Sequence, residues 1–221
     1  KELDILANPN GRLNDGCLNG VAHLLQAVFS QPGHESHYPS GRCAIFSTFD
    51  LHMVRYHASD ADIWRRTRAT QYWERAVWIL PIHRRSPSEH WVLAIIYPEA
   101  RRVLLFDSFA GGARLWRHEI QNDVSSPSDD QEIMELVTRL VICANRNNCH
   151  LPVVVEEGWV AQPASVRPHQ TNGYDCGLWV LAGIAAVLRG FHVPGLCEAD
   201  MPSFRELLHR YILGLPSYYS K

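Results

Sequence analysis

Six cysteines stand at positions 17, 43, 143, 149, 176 and 197 of this 221-residue chain, and one of them is placed for chemistry. Cys176 lies in the run Gln170-Thr-Asn-Gly-Tyr-Asp-Cys-Gly177, where a strongly apolar helical stretch from Cys176 to Leu188 begins. A thiol in the first turn of a helix sits beside unpaired backbone N–H groups, which favour thiolate over thiol. Gly173 and Gly177 leave room for another backbone to come close. These are the conditions a nucleophile needs. The plainer reading is a small buried core residue, common for a free cysteine. None of the other five thiols sits at so clear a helix start beside glycines.

A cysteine nucleophile needs a base, and the base needs a group to orient it. His90 opens the run His90-Trp-Val-Leu-Ala-Ile-Ile-Tyr97, and Asp107 closes the run Arg102-Val-Leu-Leu-Phe-Asp107. Two adjacent hairpin strands would bring His90 and Asp107 together at one end of a sheet, where the carboxylate fixes the imidazole tautomer. The chain holds 12 histidines, most of which must be surface or core residues, so position carries this pairing more than residue type.

The elements that would position these groups follow from periodicity and punctuation. Asn14 and Asp15 can cap a helix whose apolar residues Leu18, Val21, Leu24, Leu25 and Val28 recur at helical spacing. Gln31 to Ser40 reads as a loop, and a helix is expected across Asp60 to Ala69. Ala76 to His83, Trp91 to Tyr97 and Arg102 to Asp107 are short runs of β-branched, aliphatic and aromatic residues, the mark of strands, with Pro98-Glu-Ala as a hairpin turn. Ile133, Leu136, Val137, Leu140, Val141 and Ala144 line one face of a long helix, and Trp159 to Ala161 reads as a further strand. Cys176 to Leu188 is a central buried helix ending at Gly190. Ser203-Phe-Arg-Glu206 reads as a capping box opening a last helix that buries Phe204, Leu207, Leu208, Tyr211 and Ile212. Helices flanking a central group of strands make the chain α+β, and residues 1–221 read as a single domain.

Composition removes several function classes. With 21 Lys+Arg against 23 Asp+Glu, the chain lacks the basic surplus of a general nucleic-acid or anionic-membrane binder. Its longest apolar stretch, Gly177 to Leu188, falls short of the roughly 20 residues a membrane span needs. The N-terminus lacks the basic-then-apolar pattern of a secretory signal, and without an initiator Met the chain reads as an excised or processed domain. No Cys-x-x-Cys pair is present, so no metal site is expected; Cys143 with Cys149-His150 has no second half. A chain this long needs no disulfides, so the thiols are read as reduced and the protein as intracellular, nuclear or cytoplasmic. Arginine outnumbers lysine 19 to two, a bias that codon usage or a surface without lysine acceptors would equally produce.

His90-Trp91, then Phe106-Asp107-Ser108, then Gln170 six positions before Asp175-Cys176-Gly177, resembles the ubiquitin-like-protein-specific (Ulp/sentrin-specific) cysteine proteases. Leu13-Asn14-Asp15 with Cys17-Leu-Asn19 resembles that family's entry motif, and Val77-Trp-Ile-Leu-Pro-Ile-His83 the strand before its catalytic histidine. Order, spacing and context agree over nearly the whole chain. The resemblance implies a papain-like Ulp-type catalytic domain, a central mixed sheet flanked by helices with the nucleophile at a central helix N-terminus. It also implies roles: Cys176 as nucleophile, His90 as general base and then acid, Asp107 as its orienter, and Gln170 with the Cys176 N–H as oxyanion hole. Trp91 would line a channel for the Gly-Gly tail beside Gly177, and Asp15 would pair with a basic residue of the modifier or merely cap its helix.

Two departures stand out. The family's entry motif usually carries Trp before Leu-Asn-Asp, where this chain has Arg12, and that Trp normally helps to cover the tail. The 63-residue interval from Asp107 to Gln170 is long, with the excess expected in 121–130 or 145–157. The function so implied is a monomeric thiol isopeptidase without metal or organic cofactor. It would cleave after the Gly-Gly of a ubiquitin-like modifier, SUMO first, in deconjugation or precursor processing. The rivals are a deubiquitinase or Nedd-type-modifier protease of the same fold, a modifier-binding pseudoenzyme, and a related acyltransferase. The pseudoenzyme is disfavoured by the intact His90, Asp107, Gln170 and Cys176. The acyltransferase is disfavoured by Trp91 and by the lack of a basic cofactor pocket.

Overall fold

A computed structural model describes residues 1–31, 40–84, 89–109, 118–119, 129–153, 155 and 158–214. In chain order its helices are α1 (Glu2–Ala7), α2 (Asp15–Phe29), α3 (Asp50–Arg55), α4 (Asp60–Thr67), α5 (Asp129–Arg146), α6 (Cys176–Leu188) and α7 (Met201–Leu213). Its strands are β1 (Cys43–Ile45), β2 (Val77–Arg84), β3 (His90–Tyr97), β4 (Arg102–Phe106), β5 (His118–Glu119) and β6 (Val160–Pro163). They form one mixed six-stranded sheet in the order β1-β2-β3-β4-β6-β5. β2, β3 and β4 are successive antiparallel neighbours, while β1 joins β2 and β6 joins β4 in parallel.

Both faces of this sheet are covered, which explains why its strands read as continuous apolar runs instead of alternating ones. Ile79, Leu93, Ile95, Leu104 and Phe106 point into a core shared with α2, α6 and α7. Their neighbours Trp78, Leu80, Ile82, Val92, Ala94, Ile96, Val103 and Leu105 point the other way, into a core shared with α3, α4 and α5. The two-residue period is intact; each face simply finds a buried partner. α6 lies between β3 and α2 and buries every residue except Ala185, so it needs no polar stripe. It approaches β3 so closely that a Cβ on Gly183 would stand 2.8 Å from Leu93 Cδ2.

Several sequence expectations shift. α2 is capped by Asn14, whose side chain accepts the Cys17 N–H at 2.9 Å, and Asp15 is its first helical residue. The last helix starts two residues before Ser203, at Met201, with Pro202 in its first turn, so Ser203 is no cap. Of the five residues expected to be buried, Leu208 is in the core and Phe204 and Ile212 pack against it, joined by Met201 and Arg205, whereas Leu207 and Tyr211 are 43% and 39% exposed. The short elements α1, β1, α3 and β5 left no readable periodicity. The expected loop at 31–40 and the first expected site of excess at 121–130 lie almost wholly outside the described residues. Among the described residues no helix is long and apolar enough to cross a membrane.

Candidate active site

The sheet brings His90 and Asp107 to one end. In the β2–β3 hairpin Arg84 lies opposite His90, and β4 runs beside β3 so that the residue after Phe106 arrives at the same edge. His90 Nε2 and Asp107 Oδ1 are 2.8 Å apart. Asp107 Oδ2 accepts from Arg84 Nη1 at 2.9 Å, and Oδ1 also accepts the Phe109 N–H at 3.0 Å. Burial alone would push this carboxyl up. The His90 hydrogen bond and charge, the Phe109 N–H and the Arg84 guanidinium outweigh it and hold the group below the usual carboxylate range. The Phe109 ring covers the imidazole, with centroids 4.7 Å apart and planes tilted by 34°.

Cys176 is the first residue of α6 and is 6% exposed. The buried Nδ1 of His90 has no partner within ordinary hydrogen-bond reach, yet Cys176 lies close enough to act on it. Burial works against the imidazolium, but Asp107 and then Cys176 more than compensate, and His90 is raised from its ordinary value to about 9. The thiol moves the opposite way. Burial would raise it, but His90 and the N–H groups of Trp91 and Gly177 bring it below its ordinary value. Both shifts favour one charge-separated pair, thiolate beside imidazolium.

Gln170 is 2% exposed and tied to the strand end that carries Asp107. Its N–H donates to the Ser108 carbonyl at 3.1 Å, and its Oε1 accepts from Ser108 Oγ at 2.7 Å. The Nε2 group donates to the Asn172 carbonyl at 2.6 Å and lies 3.4 Å from Asn172 Oδ1. Ser108 therefore decides which end of the amide is the donor end.

The nucleophile's side of the cleft is held by the two ends of the chain. Asp175, immediately before Cys176, receives Arg205 Nη2 at 3.0 Å on Oδ1 and Asn172 Nδ2 at 2.9 Å on Oδ2. Arg205, 4% exposed, also donates to the carbonyls of Gly11 at 2.9 Å and Ile5 at 3.4 Å. Glu198 accepts from Thr171 N and Oγ1, both at 2.8 Å, and from Asn172 N and Nδ2 at 3.2 and 3.0 Å. Those donors, the Thr171 N–H first, hold its carboxyl below the usual range.

The remaining expected residues take different positions. Trp91 is 6% exposed, its indole N–H donating to the Leu13 carbonyl at 2.9 Å and its ring 4.6 Å from that of His83. Gly177 is approached by a side chain and not by a backbone: a Cβ there would meet Leu13 Cβ at 2.8 Å. Asp15 lies in the first turn of α2 with a buried, unpartnered Oδ1 and makes no hydrogen bond or ion pair to the other expected site residues. Arg84, Phe109, Glu198 and Arg205 have no role in the sequence reading, and Ser108 enters it only within the Phe106-Asp107-Ser108 motif. The hairpin register would have pointed to Arg84, and Pro202, an N-terminal helix residue by type, to the true start of α7 and so to Arg205. Among the described residues no three His, Cys, Asp or Glu side chains gather to hold a metal ion.

The model of the Ulp1 protease family, C-terminal catalytic domain, matches residues 19–211. Two curated Arabidopsis thaliana relatives match across 94% of the chain at 26% identity: ubiquitin-like-specific protease 1B and ubiquitin-like-specific protease ESD4. The chain spans 55% and 38% of their respective lengths. Among solved structures, the fold is shared with a SUMO protease Ulp1 whose catalytic cysteine is oxidised to a sulfenic acid (TM-score 0.65, 16% identity, 96% of this chain and 82% of that one). It is also shared with the Ulp1 protease domain in complex with Smt3, the yeast ortholog of SUMO (TM-score 0.61, 18% identity, 96% and 80%). The Xanthomonas campestris effector XopD bound to ubiquitin is similar at a TM-score of 0.51 and 16% identity, over 90% of each chain.

Proposed function

We propose that this chain, which belongs to the Ulp1 protease family, is a thiol isopeptidase that cleaves after the C-terminal Gly-Gly of a ubiquitin-like modifier, with SUMO its first substrate. The observation that carries the reading is the 2.8 Å His90–Asp107 pair standing against Cys176 at the start of α6, with both pKa shifts favouring thiolate and imidazolium. SUMO is supported by likeness to protease domains named for it and to one bound to Smt3.

In this mechanism the proton has already moved from Cys176 to His90 before substrate arrives. The thiolate attacks the carbonyl of the terminal glycine, and the resulting oxyanion is received by the Nε2 group of Gln170, which exchanges its long 3.4 Å contact with Asn172 Oδ1 for the oxyanion, and by the Cys176 N–H. The imidazolium then donates its proton to the departing lysine amine, leaving a thioester on Cys176. Neutral His90 next takes a proton from water, which cleaves the thioester and regenerates the thiolate–imidazolium pair. Asp107 keeps the imidazole oriented throughout and stabilises it when charged, and Arg84 keeps Asp107 ionised and in place.

The test is a panel of modifiers ending in Gly-Gly and an electrophile (SUMO, ubiquitin and a Nedd-type protein), each incubated with wild type and with Cys176→Ala and scored for a covalent adduct by mass. A SUMO adduct that disappears in the variant is the expected result. An adduct confined to ubiquitin or the Nedd-type probe would move the substrate and keep the chemistry. Modifier binding without any adduct, by a folded protein, would replace the enzyme with a pseudoenzyme.

A further inference from the structure

Arg12 is mounted beside the active site, and its charge meets no partner among the described residues. Its two chain neighbours are both fixed to the nucleophile's surroundings. The Gly11 carbonyl accepts from Arg205 Nη2, which also grips Asp175. The Leu13 carbonyl accepts the indole N–H of Trp91, and the Leu13 side chain packs on Gly177. The backbone of Arg12 therefore has little freedom relative to Cys176. Its side chain is exposed and reaches the bare face of Gly173, in the loop that leads into the nucleophile, where a Cβ would lie 3.7 Å from Arg12 Nη2. It makes no hydrogen bond or ion pair with any described residue. The other described guanidinium groups near the site are committed: Arg84 to Asp107 and Arg205 to Asp175.

A guanidinium on a rigid mount, without a partner among the described residues, is organised to receive a planar acceptor from outside the chain. We propose that Arg12 is a specificity-determining residue which binds a carboxylate of the substrate chain lying in the cleft. The inference rests on the proposed isopeptidase reading, since only that chemistry draws a substrate chain past Cys176. A carboxylate can come from the modifier tail just before Gly-Gly or from the target chain beside the modified lysine. A basic side chain at the same place is repelled, so one residue both attracts and excludes.

The test uses two sets of isopeptide substrates, one with Asp, Ala or Lys immediately before the Gly-Gly, the other with Asp, Ala or Lys beside the acceptor lysine. kcat/KM is measured at low and high salt for wild type, Arg12→Ala and Arg12→Glu, with folding checked by circular dichroism. Wild type should prefer Asp over Lys by about fivefold or more in one set, as expected of an accessible ion pair, and salt should shrink the preference. Arg12→Ala should erase it, and Arg12→Glu should reverse it. The set that shows the effect assigns the carboxylate to modifier or target. An Asp-to-Lys ratio that is the same in all three proteins overturns the role of Arg12 while Cys176-dependent turnover still stands. Absence of any Cys176-dependent turnover overturns the isopeptidase reading and this inference with it.

Discussion

The two walls of the cleft are built in opposite ways. The wall at the sheet end carries two pairs joined by short side-chain hydrogen bonds, His90 with Asp107 and Ser108 with Gln170, and Arg84 from the neighbouring strand bonds Asp107. The wall that presents Cys176 is tied within its own loop only around Asn172, whose side chain bonds Asp175 and the N–H groups of Tyr174 and Asp175. That loop is also gripped from outside, by Arg205 on α7 and by Glu198 just before it, and Arg205 in turn holds the N-terminal segment through Ile5 and Gly11. On the first wall the bonds set protonation states; on the second they set position. Damage to the first should appear as lost turnover in a folded protein, and damage to the second as lost stability.

Four measurements would break or sharpen that contrast. Asp107→Asn keeps the shape but removes the charge that holds the imidazolium, and turnover should fall by about 10³–10⁴-fold with a melting temperature close to wild type. A collapse in melting temperature would make Asp107 a structural residue and blur the contrast. Arg205→Met leaves Asp175 buried without its cation, and urea unfolding should show a loss of about 3–5 kcal/mol. A variant as stable as wild type would mean that the second wall is held elsewhere. Gln170→Ala should lower kcat by about 10²–10³-fold with little change in unfolding midpoint, whereas a loss below about threefold would remove it from the oxyanion role.

The smallest effect is the pH profile. His90 is raised, so its proton is held below about 9 and lost above it. kcat/KM should decline through that value by about tenfold per pH unit, as the acid for the departing amine disappears. On the acid side the thiol, lowered by His90, should keep the rate high to pH values where an ordinary cysteine is protonated. Alkylation of Cys176 by iodoacetamide across pH reads the same titration without substrate. A rate that rises only as pH enters the ordinary thiol range would dismiss the pre-formed ion pair.

The first wall was largely legible because it is made of strands and of the residues that end them. Apolar runs located β2, β3 and β4, and one hairpin turn was enough to set His90 near Asp107. α6 begins at Cys176, as the apolar stretch and its flanking glycines suggested. The second wall was not legible, because what holds it is distant in sequence. Taking Ser203 for a cap turned Arg205 into an ordinary first-turn charge, although Pro202 marks the earlier start that buries it. Glu198 accepts four hydrogen bonds from Thr171 and Asn172, and nothing in the spacing of 198 against 171 announces that contact. The reading of Gly177 had the right cause, close approach, but the wrong partner, since the space is taken by the Leu13 side chain.

The bond from Arg205 to the Gly11 carbonyl spans 194 positions. During synthesis the ribosome delivers His90, Asp107, Gln170 and Cys176 well before α7 leaves the exit tunnel, so a nascent chain owns every reacting group while its nucleophile loop still lacks a clamp. Long-range closures of this kind form late. The thiol is consequently brought to register only by a helix translated after every one of those groups, and a ribosome-stalled chain ending after α6 holds the whole site in composition but not yet in geometry.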